Sequence, residues 1–215
     1  MDIRYNCILK REEKLARAIA RSAVPPKSIT VWEVLIPFLL IFTFMKLKED
    51  RERAAQNILF TKKLALEGAR DMIRNSQSRK TVIDRIKTRT HDLLTRENNA
   101  VYTEEIRDRQ LEEIKILIDH YCRLLSAGGN DYPTLVIETY GQRADYVRFT
   151  DDLTSAENAV VSAARQSLGE RADRDTANRI QAAAKRFRTA ELDRIFGPQP
   201  GDRISRTSDG ATGMK

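Results

Sequence analysis

The sequence contains little cysteine, histidine, glycine or proline. Its 215 residues include 2 cysteines and 2 histidines. Cys7 and Cys122 are too few for a disulfide framework or for a zinc site, which needs about four ligands. The 9 glycines and 6 prolines leave long stretches without a helix breaker. No stretch alternates apolar and polar residues for long enough to predict a β-strand.

Recognised catalytic motifs are also missing from the sequence. It has no glycine-rich phosphate loop and no G-x-S-x-G elbow. A di-iron bundle needs Glu three residues before His, but Thr88 precedes His91 and Leu117 precedes His120. We expect both histidines to be ordinary surface or boundary residues. The sequence therefore predicts no catalytic residue, no cofactor and no metal site.

The residues that are abundant favour helices and a basic surface. Charged residues make up 32% of the chain, and Ala, Leu, Ile, Arg, Glu and Lys lose little freedom in a helix. The formal charge is +7 at pH 7. Such a balance indicates an anionic neighbour, either lipid head groups or nucleic acid, or else a solvated surface rich in arginine.

One strongly apolar segment, residues 29–48, interrupts this pattern. Twelve residues from Val34 to Met45 carry no charge and would cover roughly 18 Å as a helix, against about 30 Å of hydrocarbon. Pro37 removes one backbone hydrogen bond and predicts a kink. A buried core helix is the alternative, but apolar side chains here cover every side of the helix. The predicted membrane-anchor residues are Trp32, Val34, Leu35, Ile36, Pro37, Phe38, Leu39, Leu40, Ile41, Phe42, Phe44 and Met45.

Thr30 and Glu33 form a T-x-x-E capping box, which predicts the start of the apolar helix. The hydroxyl of Thr30 can accept a hydrogen bond from the amide of Glu33, and the carboxylate of Glu33 can accept one from the amide of Thr30. The box places the acidic side chain in the first turn, near the head groups. Glu33 is therefore compatible with a membrane segment.

A basic amphipathic helix is predicted within residues 1–24, before Pro25 and Pro26. Its cations recur at spacings of four, three and four, which places them in one stripe. Such a helix can lie in the membrane interface, or it can pack on the protein with a solvated basic face. We favour the interface. The cations predicted to contact anionic lipid, on both sides of the apolar segment, are Lys10, Lys14, Arg17, Arg21, Lys27, Lys46 and Lys48.

Cations crowd both ends of the apolar segment, so the positive-inside rule gives no orientation for a single pass. A kinked, re-entrant or interfacial insertion would keep both clusters on the cytoplasmic face. We favour that arrangement slightly over a single pass. Either way, we expect a membrane protein with most of the chain on the cytoplasmic side.

Residues 49–197 are predicted to form an antiparallel bundle of four to six helices. Apolar residues recur at helical spacing up to about Asn75, from Val82 to Leu94 and from Ile106 to Leu125. Further helices are predicted over 135–149, from a second capping box at Thr154, and up to Gly197. Residues 198–215 have almost no apolar content, which predicts a disordered tail.

Two charged clusters in the predicted bundle are candidate sites. The acidic cluster is interpreted as a solvated face with exposed ion pairs, and consists of Glu104, Glu105, Glu112 and Glu113. The basic stretch could contact phosphates, and consists of Arg70, Arg74, Arg79, Lys80, Arg85, Lys87 and Arg89. Acids interrupt the basic stretch and no aromatic residues interleave for base stacking, so nucleic acid is an unlikely partner.

Together these patterns predict an all-α, membrane-anchored interaction or scaffold protein without catalytic activity of its own. The expected partners are membrane lipid and either another protein or a second copy of the chain. Two alternatives stay open. The bundle could be a subunit of a membrane-associated enzyme or metal-binding complex, or it could be a basic nucleic-acid-binding protein.

Overall fold

The protein is all-α in the residues that its computed structural model describes, which are 2–23, 50–96, 103–168 and 174–198. Seven helices account for nearly all of them, and none is both long and apolar enough to span a bilayer. The helices are α1 (Asp2–Ala23), α2 (Asp50–Arg74), α3 (Arg79–Arg96), α4 (Glu104–Ser126), α5 (Tyr132–Tyr140), α6 (Arg143–Leu168) and α7 (Arg174–Phe196).

The predicted apolar segment 29–48 lies outside the described residues, together with Lys27, Lys46, Lys48 and the predicted tail beyond Pro198. The predicted capping box of Thr30 and Glu33 falls there too. The all-α bundle that the sequence predicts is confirmed, whereas the membrane helix stays a prediction.

Helices α1 and α2 lie side by side and antiparallel. Three ion pairs show this, because a residue later in α1 pairs with a residue earlier in α2. Asp2 pairs with Arg74 (3.6 Å), Glu13 with Lys63 (3.9 Å) and Arg17 with Glu52 (3.8 Å). Helix α7 also runs antiparallel to α1, since Glu191 contacts Arg11 and Arg186 contacts Ser22.

Helix α4 lies at the centre of the bundle and packs against α2 and α6. Its apolar side chains form the middle of the main core, with Ile114, Leu117 and Ile118 almost fully buried. The short helix α5 and α3 pack on the flanks of this central helix. The apolar residues that recur at helical spacing from Ile106 to Leu125 are thus the ones that α4 buries.

The ends of α4 and α5 are set by side chains that cap free backbone amides. Thr103 accepts a hydrogen bond from the amide of Ile106, and Asp131 accepts one from the amide of Thr134. Pro133 stands in the first turn of α5, where its missing amide costs nothing. Gly141 follows α5 with a φ of 67°, a conformation that favours glycine.

The predicted boundary between the fourth and fifth body helices is wrong. The sequence predicts one helix over 135–149 and another beginning at Thr154, but the break lies at Gly141 and α6 continues through Thr154. The hydroxyl of Thr154 donates to the carbonyl of Thr150 within the helix, and Glu157 turns to Arg188. The two side chains of the apparent capping box therefore have other partners, one within α6 and one on α7.

Gly68 allows α2 and α3 to approach closely. A Cβ built at this position would lie 2.8 Å from Cγ1 of Val82, a side chain that is fully buried. A real Cβ does not tolerate this distance, so any larger residue at position 68 must displace the side chain of Val82 or the backbone that carries it. Gly128 offers a contrast, because a Cβ there meets nothing within 4 Å.

We expect Gly68→Val to lower the free energy of unfolding by about 1–3 kcal/mol, since it overpacks the contact between α2 and α3. Gly128→Val should change it by less than about 0.5 kcal/mol. Urea unfolding followed by circular dichroism measures both. The double variant Gly68→Val/Val82→Ala should recover much of the loss, and equal losses in the single and double variants would contradict the close approach.

Candidate functional site

The predicted basic stripe lies on the exposed side of α1. Lys10, Lys14, Arg17 and Arg21 are all solvent-exposed, as their spacing predicted. Only Arg17 pairs with an acid of the described residues, at 3.8 Å from Glu52. The stripe is therefore a largely unneutralised positive surface along about three turns of helix.

The opposite, apolar face of α1 is buried in the bundle. Ile8, Ile19 and Ala20 are at most 2% exposed and pack on the other helices. Of the two arrangements considered for this helix, the favoured one, with the apolar face in the membrane interface, is therefore wrong. Residues of α2 and α7 cover Ile19 and Ala20, so these side chains are not available to a membrane or to a partner.

The end of α1 and the start of α2 meet at the same end of the bundle. Ala16 and Ala20 share one apolar cluster with Ala54, Ala55 and Leu59. The chain therefore leaves the bundle after Ala23 and rejoins it at Asp50 close to where it left. Any arrangement of the 26 residues between them must satisfy this constraint.

Beneath α1 the bundle contains a buried charge cluster, which the sequence analysis missed. It joins five helices, and three of its residues, from three different helices, are at most 6% exposed. We define it by its ionisable members, Arg11 and Glu12 of α1, Lys62 of α2, Glu113 of α4, Glu157 of α6, and Arg188 and Glu191 of α7.

Glu12 lies at the α1 side of the cluster and is 2% exposed. Arg11 donates to the carboxylate of Glu12 and also to Glu191, through Nε at 3.0 Å and through a second nitrogen. Lys62 reaches the other oxygen of Glu12 at 3.7 Å. Two cations from two helices thus hold this buried carboxylate.

The far side of the cluster connects α4, α6 and α7. Arg188 donates to Glu157 at 2.5 Å and to the hydroxyl of Thr154 at 2.9 Å. Lys62 lies 3.9 Å from Glu157 and so bridges the two halves. Glu113 accepts a hydrogen bond from Thr61 at 3.2 Å. The interpretation of Glu113 as a solvated residue is therefore wrong, whereas Glu112 is exposed as expected.

The two most buried carboxyls of the cluster shift in opposite directions. Burial alone would raise the pKa of Glu12, but Arg11 and Lys62 outweigh it and lower this pKa to about 2. Burial, reinforced by the charge of Glu157, raises the pKa of Glu113 to about 7. Because the cluster has three cations and four carboxyls, a proton on Glu113 makes it neutral.

His120 is a second buried polar group of α4, contrary to the expected surface position. It is 2% exposed, its Nδ1 lies 2.7 Å from the hydroxyl of Tyr140, and its ring stacks on Phe149 at 3.9 Å. Burial lowers the pKa of His120 to about 3, and burial raises the pKa of Tyr140. Both groups are therefore neutral near pH 7. Their hydrogen bond joins α5 to α4, and the ring stack with Phe149 joins α6 to α4.

The basic stretch around α3 is largely neutralised by neighbouring acids. Asp119 accepts two hydrogen bonds from Arg79, and Asp71 accepts one from Arg85. Arg89 lies 3.7 Å from Glu67, and Arg74 pairs with α1. These pairs leave fewer free cations for phosphate contacts than the sequence alone indicates, which weakens the nucleic-acid alternative.

The buried cluster had a signal in the sequence. Glu113 and His120 lie at i and i+7 in the stripe that contains Leu117 and Leu124, and Glu12 lies four residues after Ile8 and four before Ala16. A charged residue in an apolar stripe is expected to be buried. The spacing of Glu113 to neighbouring charges favoured a solvated position instead, and Glu12 was not considered, so this signal was missed.

Within the described ranges, no group of three or more His, Cys, Asp or Glu side chains is arranged to hold a metal ion. Comparison with known proteins gives no match, whether to a family model, to a curated protein or to a solved structure. Function must therefore be inferred from the surfaces and charges of this chain.

The opposite pKa shifts predict opposite effects of two similar substitutions. Glu12→Gln should lower the free energy of unfolding by about 3 kcal/mol at pH 7, because it leaves buried cations uncompensated. Glu113→Gln should be harmless at pH 5. At pH 8 it should stabilise the protein by on the order of 2 kcal/mol, because the ionised carboxylate of the wild type is the unfavourable form.

The pH window follows from the pKa of Glu113, which is 4.5 ordinarily and about 7 in the folded chain. Folding takes up a proton between these values, so the stability from this group is full below pH 4.5 and is lost as the pH rises through 7. Chemical unfolding at several pH values measures it. An identical pH dependence in wild type and Glu113→Gln would show that Glu113 does not titrate in this way.

Proposed function

We propose that this chain is a membrane-tethered helical interaction protein, held through residues 29–48 on one face of a bilayer, with its bundle on the cytoplasmic side. The observation that carries the proposal is the meeting of the two helix ends that flank the apolar segment. The end of α1 and the start of α2 share the cluster of Ala16, Ala20, Ala54 and Ala55.

This packing favours a re-entrant insertion over a single pass. As a helix, residues 29–47 would cover roughly 28 Å, about one hydrocarbon thickness. The other seven residues of 24–49 reach at most about 25 Å even when extended. They would also have to carry Lys27 or Lys48 through lipid. A single crossing would therefore pull α1 out of the bundle.

A bend at Pro37 would let the segment enter and leave through the same leaflet. Both basic flanks then stay on the same side, which agrees with the preference of cations for the cytoplasmic face. The exposed stripe of α1 adds an attraction to anionic lipid, worth about 1 kcal/mol for each cation near the surface. The bundle is left free to meet a protein partner or a second copy of the chain.

We expect the full-length chain to stay with membranes in high salt and to be released by detergent, since an apolar tether does not depend on screened charges. Leu39→Arg/Ile41→Arg should move it towards the soluble fraction, because each arginine in lipid costs about 3 kcal/mol. The matched control is Ile3→Arg/Ile137→Arg, two exposed sites of the bundle. Release of the unaltered chain by salt alone would contradict the apolar tether. It would favour attachment through exposed charges, as the nucleic-acid-binding alternative predicts.

Topology can be tested with single cysteines at exposed positions near one end of the bundle. Asn6→Cys on α1 and Ser126→Cys on α4 are introduced separately after Cys7→Ala and Cys122→Ala. Arg4 donates to the carbonyl of Leu125, so both sites lie at the same end. An impermeant maleimide should label both in inverted vesicles and neither in intact cells. Labelling from opposite sides would exclude the re-entrant arrangement.

A further inference from the structure

A groove of about 510 Å³ runs between α1 and α7. Its walls are mainly apolar, with Leu15 and Ala18 from α1 and Phe187 and Ala190 from α7, and Tyr132 of α5 also contributes to the lining. A volume of this size is that of a small-molecule site, for which about 300–1,000 Å³ is usual. A protein partner would instead need about 800 Å² of surface on each side.

The charges around this groove are mostly positive. Glu191 is its one acidic residue, and both Arg11 and Arg194 lie close to this carboxylate, the latter at 3.6 Å. Lys10 and Lys14 also line the groove, are exposed, and form no ion pair with the described residues. The groove therefore combines an apolar interior with free ammonium groups at its edge.

The positions of Lys10 and Lys14 connect this groove to the basic stripe. Both lysines belong to the exposed row that continues to Arg17 and Arg21 towards the end of α1. The groove residue Ala18 lies about 7.5 Å along the helix from Ala23, the last residue of α1. A bundle that rests its basic stripe on a bilayer would thus open the groove towards the lipid surface.

We propose that this groove binds one acyl chain of an anionic phospholipid from the membrane, with its phosphate held by Lys10 and Lys14. The apolar walls accept the chain, and the two ammonium groups select an acidic lipid over a zwitterionic one. Arg11 does not take part directly, because it is held by Glu191 and stacks over the ring of Tyr132 at 4.5 Å. The inference rests on the proposed membrane tether and adds a defined lipid site to it.

The test uses the full-length chain purified in a neutral detergent, with phosphatidylglycerol and phosphatidylcholine as probes and native mass spectrometry as the readout. We expect one saturable phosphatidylglycerol per chain and at least tenfold weaker retention of phosphatidylcholine. Lys10→Gln/Lys14→Gln should weaken phosphatidylglycerol binding about tenfold. The matched control Lys80→Gln/Lys87→Gln removes two exposed cations from α3, which packs on α2 and α4, and should bind as the unaltered chain does.

A second variant tests the apolar part of the site. Ala18→Phe/Ala190→Phe fills the groove without removing a charge and should abolish the one-to-one lipid adduct. Circular dichroism shows whether the helices of this variant are intact. If they are not, the site is tested by the lysine variant, which is altered only at exposed positions. Equal binding of both lipids, or unchanged binding in the lysine variant, would overturn the proposal.

Membrane fractionation of the same variants separates this inference from the tether. Both groove variants should remain in the membrane fraction, because residues 29–48 are unaltered. A chain that binds phosphatidylglycerol in detergent but fractionates as soluble contradicts the tether alone. A chain that stays in the membrane and forms no specific lipid adduct contradicts the groove alone.

Discussion

The structure depends on compensation of the carboxylate that α1 brings into the bundle. Glu12 is removed from water, which would be unfavourable if Arg11 and Lys62 did not lie against it. The same lysine approaches Glu157, and that acid is held by Arg188. The position of α1 is therefore fixed by a chain of charges that apolar packing alone would not specify, since small alanines make up much of its buried face.

The sequence predicts the features of this fold that neighbouring residues determine, and it does not predict those that depend on residues far away in the chain. Helix α4 was predictable because its apolar residues recur at helical spacing, and the end of α7 was predictable from Gly197, which has a φ of 83°. The adjacent acids Glu112 and Glu113 look alike in the sequence, yet one is exposed and the other buried. Only Glu113 lies in the apolar stripe of α4, which is a local signal of its burial. Its hydrogen-bond partner Thr61 is 52 residues away, and no local pattern identifies that partner.

The basic stripe of α1 was also predictable only in part, because local spacing determines one side of the helix and distant residues cover the other. The spacing of Lys10 and Lys14 correctly placed them on one exposed side of α1. The sequence could not decide what covers the other side, because a helix that packs on protein and one that packs on lipid both need an apolar face. Only the tertiary contacts with α2 and α7 show what covers that side. The contacts with α2 also bring together the two helix ends that the proposed membrane segment would have to join.

The separation of the cluster's members along the chain has a consequence for biosynthesis. Arg11 and Glu191 are 180 residues apart, so α1 leaves the ribosome long before the last helix exists. Until then part of its buried charge has no partner, and contacts of such high sequence separation form late. A nascent chain truncated before α7 would expose part of the apolar side of α1. If residues 29–48 form the proposed tether, they could meet the membrane at this stage, before the bundle closes around α1.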